Sequence, residues 1–295
     1  MKILITGSKG QLGNELKDII SKGYSEIGKV SECIKNSQVF DFDVDKLDIT
    51  DLKSVKNVLN TIKPDVVINC AAATNVDGCE SDEDFAFKVN SLGPRNLAMV
   101  CEEMGARLVQ VSTDYVFSGV GEKPLTEYDL TAPYSVYGKT KLLGENYVRE
   151  FCSKYYIVRT AWLYGYVGHN FVYTMRRLGK EKDSINVVND QIGNPTHAND
   201  LAYHILKLIE TDEYGVYHCT GKGECSWYDF AKMIIELSGE ECIVNPCTSE
   251  EYKTPAKRPE YSSLDNMMLR NTVGDEMRNW QDAIKSFIEN LKVRG

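Results

Sequence analysis

Tyr137 stands four residues before Lys141 in Tyr137-Gly138-Lys139-Thr140-Lys141, a spacing that puts both side chains on one face of a helix. A phenol and an ammonium so placed suit protonation of a carbonyl oxygen. The cation favours the phenolate and lowers a pKa that starts near 10, so the tyrosine becomes a general acid near neutral pH. The pattern alone is weak, because among 17 tyrosines about one Tyr-x-x-x-Lys match is expected by chance. Two further matches, Tyr203/Lys207 and Tyr228/Lys232, fall on apolar-periodic helical stretches and read as amphipathic spacing. Context selects Tyr137. Val109-Gln110-Val111 runs into Ser112-Thr113-Asp114, which places a hydroxyl pair at the end of a strand shortly before it.

A phosphate cradle opens the chain. Lys2–Thr6 reads as a strand, Gly7-Ser8-Lys9-Gly10-Gln11-Leu12-Gly13 as a glycine loop, and Leu12, Leu16, Ile19 and Ile20 carry helical spacing after it. The first glycine permits a tight turn, the second a close approach to a pyrophosphate, and the third helix-to-strand packing; the helix N-terminus then faces the phosphates. Cofactor contacts are therefore expected from Gly7, Gly10, Gln11, Leu12 and Gly13. After the second strand, Asp41 and Asp43 both compete to bind the adenine-ribose hydroxyls. That contact favours NADH, whereas nearby Lys46 softens exclusion of a 2′-phosphate. Asp48-Ile49, read as the start of a helical stretch, and Ala71-Ala72-Ala73 at the end of the third strand offer further surfaces at strand carboxyl ends.

The elements that must position these groups alternate. Strands Lys2–Thr6, Gln38–Phe42, Asp65–Cys70 and Ala106–Val111 are separated by helical patterns over Gln11–Ile20, Asp51–Ile62 and Glu83–Met104. A helix over Tyr137–Glu150 and a strand over Tyr156–Thr160 follow. This is the signature of an α/β, doubly wound, Rossmann-type parallel sheet. Later helices near Asn170–Leu178, Asn199–Glu210, Trp227–Leu237 and Trp280–Leu291 are more irregularly spaced. We expect a dinucleotide-binding domain over 1–165, with a return near 192–212, and a smaller interleaved substrate lobe over 166–295. A cleft between them is the natural ligand site.

Composition narrows the partners. A formal charge of −9 without a Lys/Arg run gives no footprint for nucleic acid. Nine singly scattered cysteines suit reduced thiols in the cytoplasm. No apolar run approaches membrane-spanning length. The four histidines show no metal-ligand spacing and read as ordinary structural residues.

The chain resembles the extended short-chain dehydrogenase/reductases, and among them the dTDP-4-dehydrorhamnose reductases. The resemblance rests on Gly7–Gly13, Ala71–Glu80, Ser112–Phe117, Tyr137–Lys141, Arg159–Gly165, Asn170-Phe171, the Asp190–Thr196 segment, Ser226–Ala231 and Arg258–Ser262, in family order along nearly the whole chain. It implies reduction of the C4 ketone of dTDP-4-dehydro-L-rhamnose with NADPH or NADH. It also implies Tyr137 as proton donor, Lys141 as holder of the nicotinamide ribose, and Thr113 as the residue that polarises the carbonyl or adjusts the tyrosine. Asp43 is the preferred ribose ligand.

Asp114, Trp162, Asn170 and Arg258 are then expected at the substrate. Trp162 reads alternatively as core packing, Asn170 as a helix cap and Arg258 as a solvated charge. Some members carry magnesium at a dimer contact built from glutamates. Glu15 matches one such position, but Asn199 stands where another carboxylate is needed, so no metal is expected. The resemblance admits a homodimer. Its rivals are a reductase or epimerase of another nucleotide-deoxysugar, and a non-catalytic subunit like the regulatory subunit of methionine adenosyltransferase.

Overall fold

In the computed structural model, which describes residues 1–294, the short apolar runs become strands buried on both faces, as a parallel sheet requires. Strands β1 (Lys2–Thr6), β2 (Gln38–Asp41), β3 (Val66–Asn69), β4 (Arg107–Thr113) and β5 (Tyr155–Thr160) assemble with β10 (Gly215–His218). The six-stranded order is β10-β5-β4-β3-β1-β2, with every neighbouring pair parallel. Three small sheets pair β6 (Leu163–Tyr164) with β9 (Thr196–His197), β7 (Ser184–Val188) with β12 (Ile243–Cys247), and β8 (Ile192–Gly193) with β11 (Cys225–Ser226).

The connecting helices are α1 (Gln11–Lys22), α2 (Glu32–Lys35), α3 (Leu52–Ile62), α4 (Val76–Ser81), α5 (Glu83–Phe87), α6 (Gly93–Met104) and α7 (Val136–Phe151). Beyond them lie α8 (Phe171–Glu181), α9 (Ala198–Leu208), α10 (Trp227–Ser238), α11 (Met267–Thr272) and α12 (Trp280–Arg294). Successive residues of β1 serve opposite cores. Ile3 and Ile5 join Leu12 and Leu16 of α1 and Leu201 and Ile205 of α9, whereas Leu4 joins Val55 of α3, Leu97 of α6 and Val148 of α7. Helices thus cover both faces of the sheet, which is the doubly wound arrangement expected. A separate core of Tyr164, Val172, Phe230, Ile234 and Phe287 unites α8, α10 and α12. Full burial of each such side chain contributes roughly 1.5–3 kcal/mol.

The chain crosses back into the large sheet late. α9 packs on α1, and Gly215–His218 runs alongside Tyr156–Arg159 of β5. Two local expectations need correction. Glu83–Met104 is not one helix: a π-helical turn over Lys88–Leu92 separates α5 from α6. Pro94 supplies no N–H to the preceding turn, which favours such a widening. Asp48-Ile49 also precedes its helix rather than starting it. Asp48 is used in a turn, its Oδ1 accepting from the Thr50 N–H and hydroxyl at 2.8 and 2.7 Å, and Asp51 caps α3 instead.

Candidate active site

Strand order reverses direction between β1 and β3, and the crevice at such a point is where open α/β sheets bind ligands. The cradle is built there. Gly7 has φ +62, and a Cβ on it would meet the Ala71 backbone nitrogen at 2.7 Å, so only glycine lets the first loop lie this close to the end of β3. Gly10 then leads into α1 as its N-cap, with no side-chain cap bonded to the first helix N–H groups. A cleft of about 810 Å³ opens over this point.

Gly7, Gly10, Gln11, Leu12, Gly13, Asp43, Asp48, Ile49, Ala71 and Ala72 all line it, together with Thr113, Asp114, Tyr137, Lys141 and Trp162. Asp43 is oriented by its neighbours, Oδ2 accepting from the Lys9 N–H at 3.2 Å and Oδ1 from the Val44 N–H at 2.9 Å. Lys46 is exposed and stands outside the lining. These residues fit a dinucleotide: glycine backbone and a helix N-terminus for the pyrophosphate, and a carboxylate for the ribose.

At the other end of the cleft, β4 delivers Thr113 and α7 delivers Tyr137 and Lys141. Ser135 caps α7 by accepting from the Gly138 N–H at 3.1 Å, which fixes the first turn that carries Tyr137. The Tyr137 ring packs edge-on against Tyr115, centroids 5.4 Å apart. Thr113 donates to Asp114 Oδ1 at 2.9 Å. Burial pushes the Asp114 carboxyl up to about 6, with hydrogen bonds from Ser262 and Thr113 opposing it.

The pKa of Tyr137 departs from the expectation. Desolvation holds the phenol well above its ordinary range, opposed by hydrogen bonding to Thr113, whereas the spacing with Lys141 predicts a lowered value. Burial itself is the cause, and Asp114 and Tyr115 beside the phenol add to it. Burial pulls Lys141 down to about 8 against the attraction of Glu145, and its ammonium is spent on the Val111 carbonyl at 2.6 Å. Glu145 itself is held below the ordinary carboxylate range: burial raises it, but Arg159, Ser112 and Arg149 more than offset that.

Three expected contacts lie outside the cleft lining. Ala73 is turned into the fold, its N–H donating to Asn90 Oδ1 at 2.9 Å and its carbonyl accepting from Asn90 Nδ2 at 3.1 Å. Asn170 caps α8 through the Tyr173 N–H, and its amide donates to Gln11 Oε1 at 3.0 Å and the Gly165 carbonyl at 2.9 Å. Both polar ends are thereby engaged, in the helix-cap role. Arg258 pairs with Asp77 at 2.9 Å and reaches the Tyr115 hydroxyl at 3.4 Å, so its charge sits one ring away from Tyr137.

Trp227, known in the sequence only as part of the Ser226–Ala231 motif, and His169, read there as a structural histidine, both line the cleft. Trp227 lies flat on Trp162, with centroids 3.6 Å apart and planes 7° from parallel. The available signal was a tryptophan directly after Ser226, which heads a capping box with Asp229. His169 carries no such signal. Glu15 and Asn199 are both buried and bonded to each other, Asn199 Nδ2 donating to Glu15 Oε2 at 2.7 Å, while Asn199 Oδ1 accepts from the Glu26 N–H at 2.8 Å.

A doubly wound parallel sheet with a glycine cradle at its switch point and a Tyr-x-x-x-Lys helix beside it defines the Rossmann-type short-chain dehydrogenase/reductase class. Residues 1–293 match the family model described as the RmlD substrate binding domain, and the chain belongs to that family. It is similar to a dTDP-4-dehydrorhamnose reductase from Clostridium acetobutylicum whose crystal structure is known, at 52% identity, 99% coverage of this chain and 100% of that one, and a TM-score of 0.93. The dTDP-4-dehydrorhamnose reductase of Bacillus anthracis, solved in complex with NADP, is 41% identical over 98% of this chain and 99% of that one, with a TM-score of 0.91. The dTDP-4-dehydrorhamnose reductase of Streptomyces griseus is 40% identical over 288 residues, 95% of this chain and 91% of the relative.

Proposed function

We infer that this chain is an NAD(P)H-dependent oxidoreductase that reduces the C4 ketone of dTDP-4-dehydro-L-rhamnose to dTDP-L-rhamnose, in nucleotide-sugar biosynthesis. The observation that carries the reading is one continuous cleft lined at once by the glycine cradle, Asp43, Thr113, Tyr137 and Lys141. Bound there, the reduced nicotinamide supplies hydride to the ketone carbon.

The chain's own residues do the rest. Gly7, Gly10, Gln11, Leu12 and Gly13, with Ala71 and Ala72 at the end of β3, are assigned to the pyrophosphate and its surroundings, and Ala73 stands behind them, tied to Asn90. Asp43 is assigned to the adenine ribose, and Asp48-Ile49 to the wall beside it. Lys141 keeps its proton below pH of about 8 and holds the nicotinamide ribose. Tyr137 donates its hydroxyl proton to the ketone oxygen as charge develops there. A phenol whose pKa is raised keeps that proton until the oxygen becomes basic enough to take it. Thr113 lies beside it to orient the oxygen, and Asp114 and Trp162 bound the sugar. Arg258 belongs to the diphosphate end, where opening its pair with Asp77 frees a guanidinium. Asn170 acts on the cleft through Gln11, whose side-chain oxygen it holds.

We assign residues 1–165 and the later return to the cofactor, and 166–295 mainly to the sugar nucleotide. A cytoplasmic location and a small-molecule partner rather than nucleic acid are supported by the charge of −9 and by cysteines that are all free. Among the described residues no helix is long and apolar enough to cross a membrane. The buried Glu15–Asn199 bond disfavours a metal-bridged dimer through that position. Mixing the purified protein with NADPH or NADH and dTDP-4-dehydrorhamnose, while following cofactor absorbance, tests the reading. Loss of absorbance with formation of dTDP-L-rhamnose supports it. No turnover with either cofactor refutes it.

A further inference from the structure

Trp162 is one of two non-glycine residues with positive φ among those described, at φ 46. An L-residue pays for that conformation, so something nearby must hold it. Two contacts do. The Trp162 indole lies face to face on Trp227 at 3.6 Å, and it sits so tightly on Gly193 that a Cβ there would come within 2.7 Å of its Cε2 and Nε1 atoms. Trp227 is itself fixed, because it is the first residue of α10 behind the Ser226–Asp229 capping box and packs on Phe171 at 4.5 Å. Both indoles line the cleft that contains Thr113 and Tyr137.

We propose that Trp227 is a positioning residue for sugar recognition: it clamps the Trp162 indole, in its left-handed backbone, as the wall against which the nucleotide-sugar seats. The proposal rests on the reduction inferred above and deepens it by assigning a residue that acts through another. A hexose presents C–H groups to such a wall, and a fixed indole offers them a pre-organised apolar surface. A free Trp162 would have to be ordered each time the sugar binds.

The test is a double-mutant cycle on the full-length protein with Trp162→Ala, Trp227→Ala and the double variant, read as KM and kcat for dTDP-4-dehydrorhamnose at saturating NADPH. Trp227→Ala is expected to raise KM by about three- to tenfold with kcat and NADPH affinity little changed. The same change made on the Trp162→Ala background is expected to add nothing. Trp227→Phe, which keeps an aromatic face, should recover most of the loss. Circular dichroism supplies a second readout: two indoles stacked this closely give an exciton couplet in the free wild-type protein, absent from either single alanine variant and requiring no substrate. Calorimetric titration with dTDP-L-rhamnose gives the same affinity cycle without turnover, so failure of the reduction itself is distinguishable from failure of this inference. Additive effects of the two changes, an unchanged KM in a folded Trp227→Ala protein, or a wild type without the couplet would each overturn it.

Discussion

The Lys141 ammonium donates to the carbonyl oxygen of Val111 at 2.6 Å, which fastens the cation of α7 to the strand that ends in Thr113. Its pKa is pulled by burial to about 8, so the proton it would offer a ribose hydroxyl is lost as pH rises through that value. NADPH affinity should therefore fall on the order of tenfold per pH unit above the transition, measured by fluorescence titration on both sides of pH 8. Lys141→Met should bind weakly and without that pH dependence. Stability runs in the opposite sense. The folded value lies below the ordinary 10.5, so the unfolded chain binds more protons across that window, and this group's contribution to stability rises with pH between about 8 and 10.5. A pH-independent NADPH affinity would remove Lys141 from the cofactor's partners.

Tyr137→Phe removes one hydroxyl and keeps the ring that packs on Tyr115. Turnover should fall by about two to four orders of magnitude, or roughly 3–5 kcal/mol of barrier, with cofactor affinity nearly unchanged. Tyr203→Phe and Tyr228→Phe are the controls. Tyr203 carries the Lys207 ammonium 5.6 Å above its ring, and that lysine pairs with Glu276 at 2.8 Å, so this match to the motif is engaged away from the cleft. Equal loss from all three changes would mean that the wrong tyrosine has been assigned.

Asp114→Asn should stabilise the protein at neutral pH. A carboxyl lifted from 3.8 to about 6 by burial costs roughly 3 kcal/mol of folding free energy above that pH. The folded state binds the extra proton here, so the cost develops as pH rises from about 4 to 6 and is absent below it. Urea unfolding should give a midpoint higher than wild type at pH 7, and equal to it in acid. A shift of the same size at both pH values would assign the effect to packing rather than charge.

Asp43→Ala should move cofactor preference toward NADPH, because the carboxylate held by the Lys9 and Val44 N–H groups both binds ribose hydroxyls and repels a 2′-phosphate. Wild type is expected to use both cofactors. The ratio of kcat/KM for the two measures it, and an unchanged ratio would point to Asp41 or to neither.

Exhaustive chelation should leave turnover unchanged, since Glu15 is satisfied by the Asn199 amide and a tyrosine, not a Lewis acid, protonates the oxygen. Asn199→Glu should instead lower thermal stability, because it sets a second carboxylate against a buried one and removes its donor. Activity lost to EDTA and restored by magnesium alone would overturn both statements.

Much of this was legible in the sequence for a physical reason: β1, β3 and β4 are apolar on both faces, and buried parallel strands have to read that way. The glycine cradle was equally open, since its backbone demands constrain residue type directly. The π-turn at Lys88–Leu92 was hidden because apolar periodicity runs through it almost undisturbed. Gly215–His218 was missed because a four-residue edge strand headed by glycine looks like a loop until β5 is there to pair with it. The pKa of Tyr137 escaped for another reason: spacing reports which groups are near, and says nothing of the desolvation that dominates at this phenol. Trp162 on Trp227 is a contact between segments 65 positions apart, and no local pattern encodes it.

The late return of the chain to its first layer has a consequence for biosynthesis. β5 is completed at Thr160, but its outer edge stays unpaired until Gly215–His218 has left the ribosome, and the α1 face stays uncovered until α9 has. The nucleotide-binding layer therefore cannot mature as an N-terminal unit during translation, in contrast to sequential domains. A nascent chain arrested near residue 165 should remain protease-sensitive and hold no NADPH, while one released beyond α9 and β10 should acquire both protection and binding together.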